Sequence, residues 1–249
     1  FAARNLQQGV IPFWNPHLFG GSPFAADMQS GLFYPINLAA FLLARPFPYE
    51  TLEFLAFFHY WLGAILAYAG GRLLGLGRFG AFAFGSLFAF SGFTVAHLGH
   101  LNMLEAAVWL PLSFGLLHHA MRRSSPTAAV GAGASWGISI LAGHIQISLY
   151  TGFFLGLYWL WSLAYRRREA GMGRRWLSLP VAGAVAVGVS AILWVPALEL
   201  TSLSIRSQLP FSWATDYATS ALGLINLLVP HFFGGNPQQF WGISGNLTE

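Results

Sequence analysis

The sequence contains no cysteine and no lysine, and charged residues make up only 8% of its 249 positions. Without cysteine, a disulfide framework, a thiolate metal site and a cysteine nucleophile are excluded. Soluble domains carry charges at about a quarter of their positions, because charged and polar side chains must cover their surface. With 55% hydrophobic residues, the composition excludes an ordinary soluble domain and favours a protein embedded in lipid.

The signatures of common soluble enzymes are also missing. The sequence has no Walker loop, no dinucleotide fingerprint, no G-x-S-x-G elbow and no H-E-x-x-H zinc motif. It shows no inverted repeat of the kind that builds a transporter from two halves. The arginines lie in short connections between apolar runs, so the basic balance predicts a lipid bilayer and no nucleic acid as partner.

The chain contains instead a series of apolar runs. A helix that crosses a bilayer needs about 20 predominantly apolar residues. Six stretches reach that length or come close to it: Thr51–Leu74, Phe79–Val95, Met103–Met121, Thr127–Ala142, Ile147–Tyr165 and Trp176–Leu198. We therefore predict an all-α polytopic membrane protein with about six transmembrane helices. Two glycine pairs spaced by four, Gly133 with Gly137 and Gly152 with Gly156, are expected to let helices approach closely.

Arginine placement predicts the orientation of these helices. Nine of the twelve arginines lie in alternate connections: Arg72, Arg78, Arg122, Arg123, Arg166, Arg167, Arg168, Arg174 and Arg175. The positive-inside rule places these connections in the cytoplasm. Residues 1–50 then form a first extracytoplasmic loop, residues 51–198 the bundle, and residues 199–249 a second extracytoplasmic loop. Leu32–Ala44 is too short to cross and is expected to lie in the membrane interface or to re-enter, and Ala218–Phe233 is expected to form an interfacial or half-inserted helix.

Asp27 is the first candidate for chemistry. It lies in an apolar stretch of the first loop that must fold back onto the bundle, and ionisable groups at a membrane edge are functional candidates because burying them is costly. The alternative is a turn or N-cap aspartate ahead of Gln29 and Ser30.

A second polar group follows the second apolar stretch and comprises His97, His100, Asn102 and Glu105. The two histidines, three residues apart, would share a helix face and suit a metal, but no third ligand has the right local spacing. We predict no metal site and leave a divalent metal cofactor open. We predict that His97, His100, Asn102 and Glu105 face a substrate. Alternatively, the imidazoles and Asn102 cap helix ends and meet lipid headgroups. Glu105 lies inside the membrane edge and needs a partner, for which a histidine or an arginine is expected.

Two further candidates lie on the same predicted face. His144 and Gln146 follow Gly143 in a second polar turn and bind substrate or simply support a hairpin. Arg206 lies seven residues after Glu199, which suits an ion pair on one helix face. The functional alternative is a clamp on a lipid phosphate, since guanidinium binds phosphate oxygens in a bidentate fork.

Several of these residues belong to strings that resemble a known family. Residues 12–21 (PFWNPHLFGG) and 26–37 (ADMQSGLFYPIN) resemble the first outer loop of bacterial YfhO-type membrane proteins. The resemblance continues through residues 90–93 (FSGF), the turn from His97 to Asn102, residues 109–111 (WLP), residues 143–146 (GHIQ), Arg206 and residues 228–234 (LVPHFFG). It covers nearly the whole chain, which begins at Phe1 and ends in a polar stretch. We therefore expect a fragment without the first helix and the C-terminal part.

The resemblance implies a fold of the GT-C glycosyltransferase class in the bacterial cytoplasmic (inner) membrane. Such enzymes move a sugar from a polyprenyl-phosphate donor to a cell-envelope acceptor outside the cytoplasm. It implies Asp27 as base, or a principal carboxylate that precedes residue 1, and Arg206 with His97 or His100 on the leaving phosphate. The aromatic first loop, with Trp14 and Asn15, would bind the sugar. The alternatives are a non-catalytic transporter or flippase of lipid-linked sugars and a membrane assembly protein.

Overall fold

A computed structural model describes residues 1–165, 175–208, 210, 221–229 and 232–234. The chain divides into two compact units, Phe1–Leu198 and Glu199–Glu249. Each is described by itself below.

The first unit begins with short elements that precede the long helices. They are helix α1 (Ala2–Gln7), strands β1 (Trp14–Asn15) and β2 (Ser22–Pro23), a 3₁₀ turn (Met28–Ser30) and helix α2 (Pro35–Leu43). The strands pair antiparallel, with Trp14 opposite Pro23. Gly21 has a φ of +119° and lies beneath the Trp14 indole, so a Cβ there would come within 2.6 Å of the ring. Proline at the first position of α2 favours the start of that helix, because its φ angle is already helical. The N–H group that proline lacks costs nothing there, since the first N–H groups of a helix have no intrahelical acceptor.

The rest of the first unit is helical. The helices are α3 (Glu50–Leu73), α4 (Arg78–Ala89), α5 (Gly92–Ala96), α6 (Leu101–Ala107), α7 (Leu110–Arg123), α8 (Pro126–Leu141), α9 (Ile145–Tyr165) and α10 (Ser178–Leu203). Four helical segments are long and apolar enough to cross a membrane: Glu50–Leu73, Arg78–Ala96, Ile145–Tyr165 and Ser178–Leu203. The chain is therefore an all-α protein with the helices of a membrane protein. The prediction of six crossings stays a prediction.

The remaining two predicted crossings take a different form. The stretch Met103–Met121 is divided between α6 and α7, and Pro111 stands in the first turn of α7. Proline has no N–H to donate to the carbonyl four residues earlier, so a continuous helix loses a bond at that point. The stretch Thr127–Ala142 forms α8, which has 16 residues.

Along α3, small residues face the other helices and large apolar residues are exposed. In α3 the buried positions include Gly63, Ala67 and Gly70, whereas Phe57 is 71% exposed and Trp61 is 64% exposed. Soluble proteins bury such large apolar side chains. Small residues inside and large apolar residues outside are typical of helices that pack on one another and face lipid.

Close helix contacts explain several glycines. A Cβ on Gly133 would collide with the Ala182 carbonyl of α10, and one on Gly137 would lie 2.8 Å from Val189. This confirms the close approach predicted for that pair. Of the second pair, Gly152 packs under a tryptophan ring, but a Cβ on Gly156 would meet nothing within 4 Å in the described part of the chain. The predicted close approach is therefore not found at Gly156 among the described residues, and this glycine is half-buried.

The second unit contains two described 3₁₀ helices, Ile205–Gln208 and Ala221–Leu227. The predicted helix over Ala218–Phe233 lies partly outside the described residues, and its described core is the second of these 3₁₀ helices. Arg206 lies in the first, and its side chain is outside the described part of the structure.

Candidate functional site

A polar cavity of about 320 Å³ opens at the end of the bundle where the N-terminal segment packs. We call it the carboxylate cavity. Its polar lining comes from the 3₁₀ turn, from α2 and from the start of α6: Gln29, Ser30, Asn37, His100, Asn102 and Glu105. Apolar side chains of Phe41, Leu52 and Leu55 complete it. The cavity therefore combines the first loop with the polar turn after α5, two segments that are far apart in the sequence.

Asn37 and Glu105 form a buried pair in the lining. The Asn37 Nδ2 donates to Glu105 Oε2 over 3.0 Å. Glu105 is 1% exposed and Asn37 is 7% exposed. Two acceptor atoms of the pair, Glu105 Oε1 and Asn37 Oδ1, are buried and receive no hydrogen bond within the described structure. Because a buried acceptor without a donor costs free energy, a ligand that donates hydrogen bonds here would be stabilised.

The partner of Glu105 differs from the prediction. We expected a histidine or an arginine to compensate the carboxylate, and the structure supplies the neutral amide of Asn37. No arginine is among the described residues that line the cavity. Glu105 thus has one described donor, a neutral amide, and its second oxygen is open to a further hydrogen-bond partner.

Backbone turns hold the cavity wall against the bundle. Asp27 accepts a hydrogen bond from the Gln29 N–H over 2.9 Å and so caps the turn Met28–Ser30. Gly31 ends that turn with a φ of +58°. The turn then packs on Gly143, where a Cβ would lie 2.5 Å from the Met28 carbonyl oxygen.

A buried hydrogen-bond chain next to the cavity joins the N-terminal segment to the bundle. His59 Nδ1 donates to the Leu55 carbonyl over 2.6 Å, because a carbonyl oxygen can only accept. Nε2 then accepts from the Tyr34 hydroxyl at 2.9 Å, and Tyr34 accepts from Trp109 Nε1 at 3.1 Å. Burial raises the pKa of Tyr34, the Trp109 bond lowers it, and the charge of Glu105 raises it further. Tyr34 therefore keeps its proton and serves as the donor to His59.

Asp27, the candidate base, has a local structural role. Its side chain is exposed and caps the 3₁₀ turn, which is the alternative that the sequence left open. It is not among the lining residues of the carboxylate cavity. A catalytic role for Asp27 stays a prediction.

The histidines of the polar turns lie at the same end of the bundle. His100 is exposed and lines the cavity, and Asn102 is half-buried beside it. His97 Nδ1 donates to the Phe93 carbonyl over 2.7 Å, and its ring centroid is 5.9 Å from that of His100. Burial lowers the pKa of His144, its own backbone hydrogen bond raises it, and the nearby His100 and His97 lower it. In the described residues no three histidine, aspartate or glutamate side chains are grouped so that they would hold a metal ion.

Three further predicted residues of the first unit are not among the described residues that line the cavity. Gln146 is exposed and donates from Nε2 to the Tyr150 hydroxyl over 2.7 Å. Asn15 is buried and accepts from the His17 N–H over 3.0 Å. Trp14 is 55% exposed and packs over Gly21. Arg206 belongs to the second unit.

The residue that sequence reasoning missed is Asn37. It lies inside the apolar stretch Leu32–Ala44, which was assigned to the membrane interface as a whole. An amide within such a stretch is itself a signal, because a polar side chain in an apolar environment requires a partner. Gln29 and Ser30 also line the cavity, and their sequence positions indicated only a turn that Asp27 would cap.

Comparison with known proteins adds no assignment. The chain matches no protein-family model, and no curated protein and no solved structure is detectably similar to it. The resemblance to YfhO-type proteins therefore stays an expectation from the sequence.

Proposed function

We propose that the chain is part of a YfhO-type, GT-C-like glycosyltransferase that binds a lipid-linked sugar in the carboxylate cavity, with Glu105 as the carboxylate that faces it. One observation carries the proposal: Glu105 Oε1 and Asn37 Oδ1 are buried acceptors without donors, and both residues line a cavity. Sugar hydroxyl groups are donors that would pair with such oxygens. The volume of about 320 Å³ lies within the range of ligand sites, about 300–1,000 Å³.

An apolar groove beside the cavity supports a lipid carrier. The groove has a volume of about 520 Å³ and lies between α2 and the start of α3. Its lining includes Ile36, Ala40, Leu43, Phe54 and Phe58. Leu55 lines both spaces, so a ligand with a polar head and an apolar chain has adjacent surfaces for its two parts.

The reaction would use Glu105 as a general base. The acceptor hydroxyl attacks the anomeric carbon, and its proton passes to the Glu105 carboxylate. A bond forms between the acceptor oxygen and the anomeric carbon, and the bond from that carbon to the carrier phosphate breaks. The electron pair leaves with the phosphate, toward which His100 and Asn102 would direct donors. Asn37 would orient the carboxylate.

The proposed setting is the bacterial cytoplasmic membrane, with the carboxylate cavity on the extracytoplasmic face. The arginine distribution supports this orientation through the positive-inside rule. The cavity would then open toward the side on which a cell-envelope acceptor is available.

The test replaces Glu105→Gln in the full-length protein and compares it with Asp27→Asn. Membranes would receive polyprenyl-phosphate glucose or mannose with a radiolabelled sugar, and label transferred to envelope material would be measured. Glu105→Gln keeps the shape and the bond from Asn37 but accepts no proton, so transfer should fall about 10²–10⁴-fold while donor binding changes little. Asp27→Asn should retain most of the activity, because an asparagine also caps turns.

Full transfer activity in the Glu105→Gln protein would refute the role of Glu105. The transporter alternative predicts another pattern, in which both variants carry the labelled lipid across proteoliposome membranes and neither transfers sugar.

A further inference from the structure

A second polar cavity lies at the opposite end of the bundle and is basic. Its volume is about 610 Å³, and its charged or titratable lining consists of Arg72, His118, His119, Arg122, Arg123 and Arg175. These side chains come from the end of α3, the end of α7 and the residues just before α10. We call it the arginine cavity. No carboxylate is among its described lining residues.

The membrane orientation of the chain does not by itself require these arginines to surround one cavity. The positive-inside rule is satisfied by arginine or lysine anywhere in a short cytoplasmic connection. Helix C-termini also favour nearby cations, and Arg72 donates from its guanidinium to the Leu76 carbonyl over 3.2 Å. Neither effect accounts for the guanidinium groups of Arg72, Arg122 and Arg123 around one concave space, because like charges repel at short range. A bound anion would offset that repulsion.

The chemistry of the lining selects the kind of anion. Guanidinium presents a planar fork of donors that matches the oxygens of a phosphate group. Three of the four arginines, Arg72, Arg122 and Arg123, are exposed and reachable from solvent, and the volume exceeds what one phosphate fills. Basic pockets between helices on the cytoplasmic side of a membrane suit phospholipid headgroups.

We propose that the arginine cavity binds an anion with two phosphate groups at the face of the bundle opposite the carboxylate cavity. The shared chemistry is two closely spaced phosphates, which a doubly phosphorylated lipid headgroup or a soluble diphosphate supplies. The site is separate from the carboxylate cavity, so it does not depend on the sugar-transfer proposal. Binding to the folded state would stabilise the bundle by mass action.

The experiment measures the thermal unfolding midpoint of the purified full-length protein against ligand concentration. One arm adds sodium pyrophosphate to the protein in neutral detergent, with sodium sulfate at equal ionic strength as reference. The other arm compares nanodiscs of phosphatidylcholine with nanodiscs that also contain cardiolipin. Saturable stabilisation by pyrophosphate identifies a soluble anion, and stabilisation by cardiolipin alone identifies a headgroup.

Three double variants make the experiment specific. Arg122→Gln with Arg123→Gln should weaken the apparent affinity about 30-fold. Arg122→Lys with Arg123→Lys keeps the topogenic charge but loses the bidentate fork, and should weaken it less. Arg4→Gln with Arg45→Gln removes the same number of charges from exposed positions of the N-terminal segment and should leave it within twofold of wild type.

The proposal is overturned if neither ligand stabilises the wild-type protein beyond its reference. It is also overturned if the glutamine pair at 122 and 123 binds like wild type, or if the control pair loses as much affinity. Should the glutamine pair fail to insert, the lysine pair and the single variant Arg72→Gln decide the outcome, because both retain most of the basic charge.

Discussion

The pairing of Asn37 with Glu105 can be measured by replacing Asn37→Leu. This change keeps the branching and the number of side-chain heavy atoms, and it removes the only described donor to a carboxylate that is 1% exposed. Losing a hydrogen bond to a buried group costs about 1–3 kcal/mol when the partner is left unsatisfied. Hydrogen bonds between helices in membranes average about 0.6 kcal/mol, with a maximum near 1.7 kcal/mol. We therefore expect Asn37→Leu to lower the free energy of unfolding by about 1–2 kcal/mol.

A double-mutant cycle separates the interaction free energy of Asn37 with Glu105 from the cost of each single substitution. Glu105→Leu alone leaves the Asn37 amide without its acceptor, so it should also destabilise the protein. The double variant leaves no orphaned partner, and its cost should fall below the sum of the single costs by about 1 kcal/mol. The measurement is reversible unfolding in mixed micelles with increasing dodecyl sulfate, followed by circular dichroism.

The exposed pair Gln146 and Tyr150 provides a matched control. Its hydrogen bond of 2.7 Å joins side chains that are both exposed, so solvent replaces it when one partner is removed. The cycle of Gln146→Leu and Tyr150→Phe should give a coupling below about 0.5 kcal/mol. If the Asn37 and Glu105 cycle gives a coupling no larger than this control, the buried pair is not formed and the reasoning fails.

Three further predictions test the surrounding architecture. Tyr34→Phe removes the hydroxyl between His59 and Trp109 and should lower the free energy of unfolding by about 1–3 kcal/mol in the same assay. As a control, Tyr49→Phe changes a side chain that is 72% exposed and should alter the free energy of unfolding by less than about 0.5 kcal/mol. Gly70→Ala would push a Cβ into the Pro111 carbonyl of α7 and should cost about 1–3 kcal/mol, while Gly188→Ala, in open space, should be neutral or stabilising; equal stability of the two variants would contradict the close crossing of α3 and α7. Because these 249 residues contain no cysteine, a single introduced cysteine is the only thiol in them that a maleimide can label. In intact cells, a membrane-impermeant maleimide should label Leu98→Cys but not Leu76→Cys. The reverse pattern would contradict the proposed orientation.

The long helices were predictable because lipid exposure leaves a simple signal. A side chain that faces lipid must be apolar around most of the helix, so runs such as Glu50–Leu73 and Ile145–Tyr165 are readable from hydropathy alone. The division between α6 and α7 was missed although Pro111 is visible in the sequence. Hydropathy does not register a missing backbone donor, and a run of apolar residues over Met103–Met121 hides the change of helix.

The sequence predicted where the candidate site lies, but it did not predict that Asn37 pairs with Glu105. The cluster at His97–Glu105 and the turn at His144 were placed at one end of the bundle, and the structure brings His100, Asn102 and Glu105 to one cavity with the first loop. The identity of the Glu105 partner depends on how α2 packs against α6, which is a tertiary contact between residues 68 positions apart. No local pattern encodes such a contact, so the amide of Asn37 could not be selected over a histidine or an arginine.

The two proposed sites differ in the chemistry of their linings, and this difference bears on the proposed donor. Among the described residues, the carboxylate cavity has two acceptor oxygens without donors and no arginine in its lining, so it suits the hydroxyl groups of the proposed sugar ligand. The arginine cavity is lined by Arg72, Arg122 and Arg123 and by no described carboxylate, which suits the proposed phosphate ligand. A phosphate of the donor near Glu105 would be repelled unless the carboxylate is protonated or a cation accompanies the ligand. If the proposed donor binds here, its sugar hydroxyl groups and its apolar chain would therefore contribute more to affinity than its phosphate, and a free sugar should compete better than pyrophosphate.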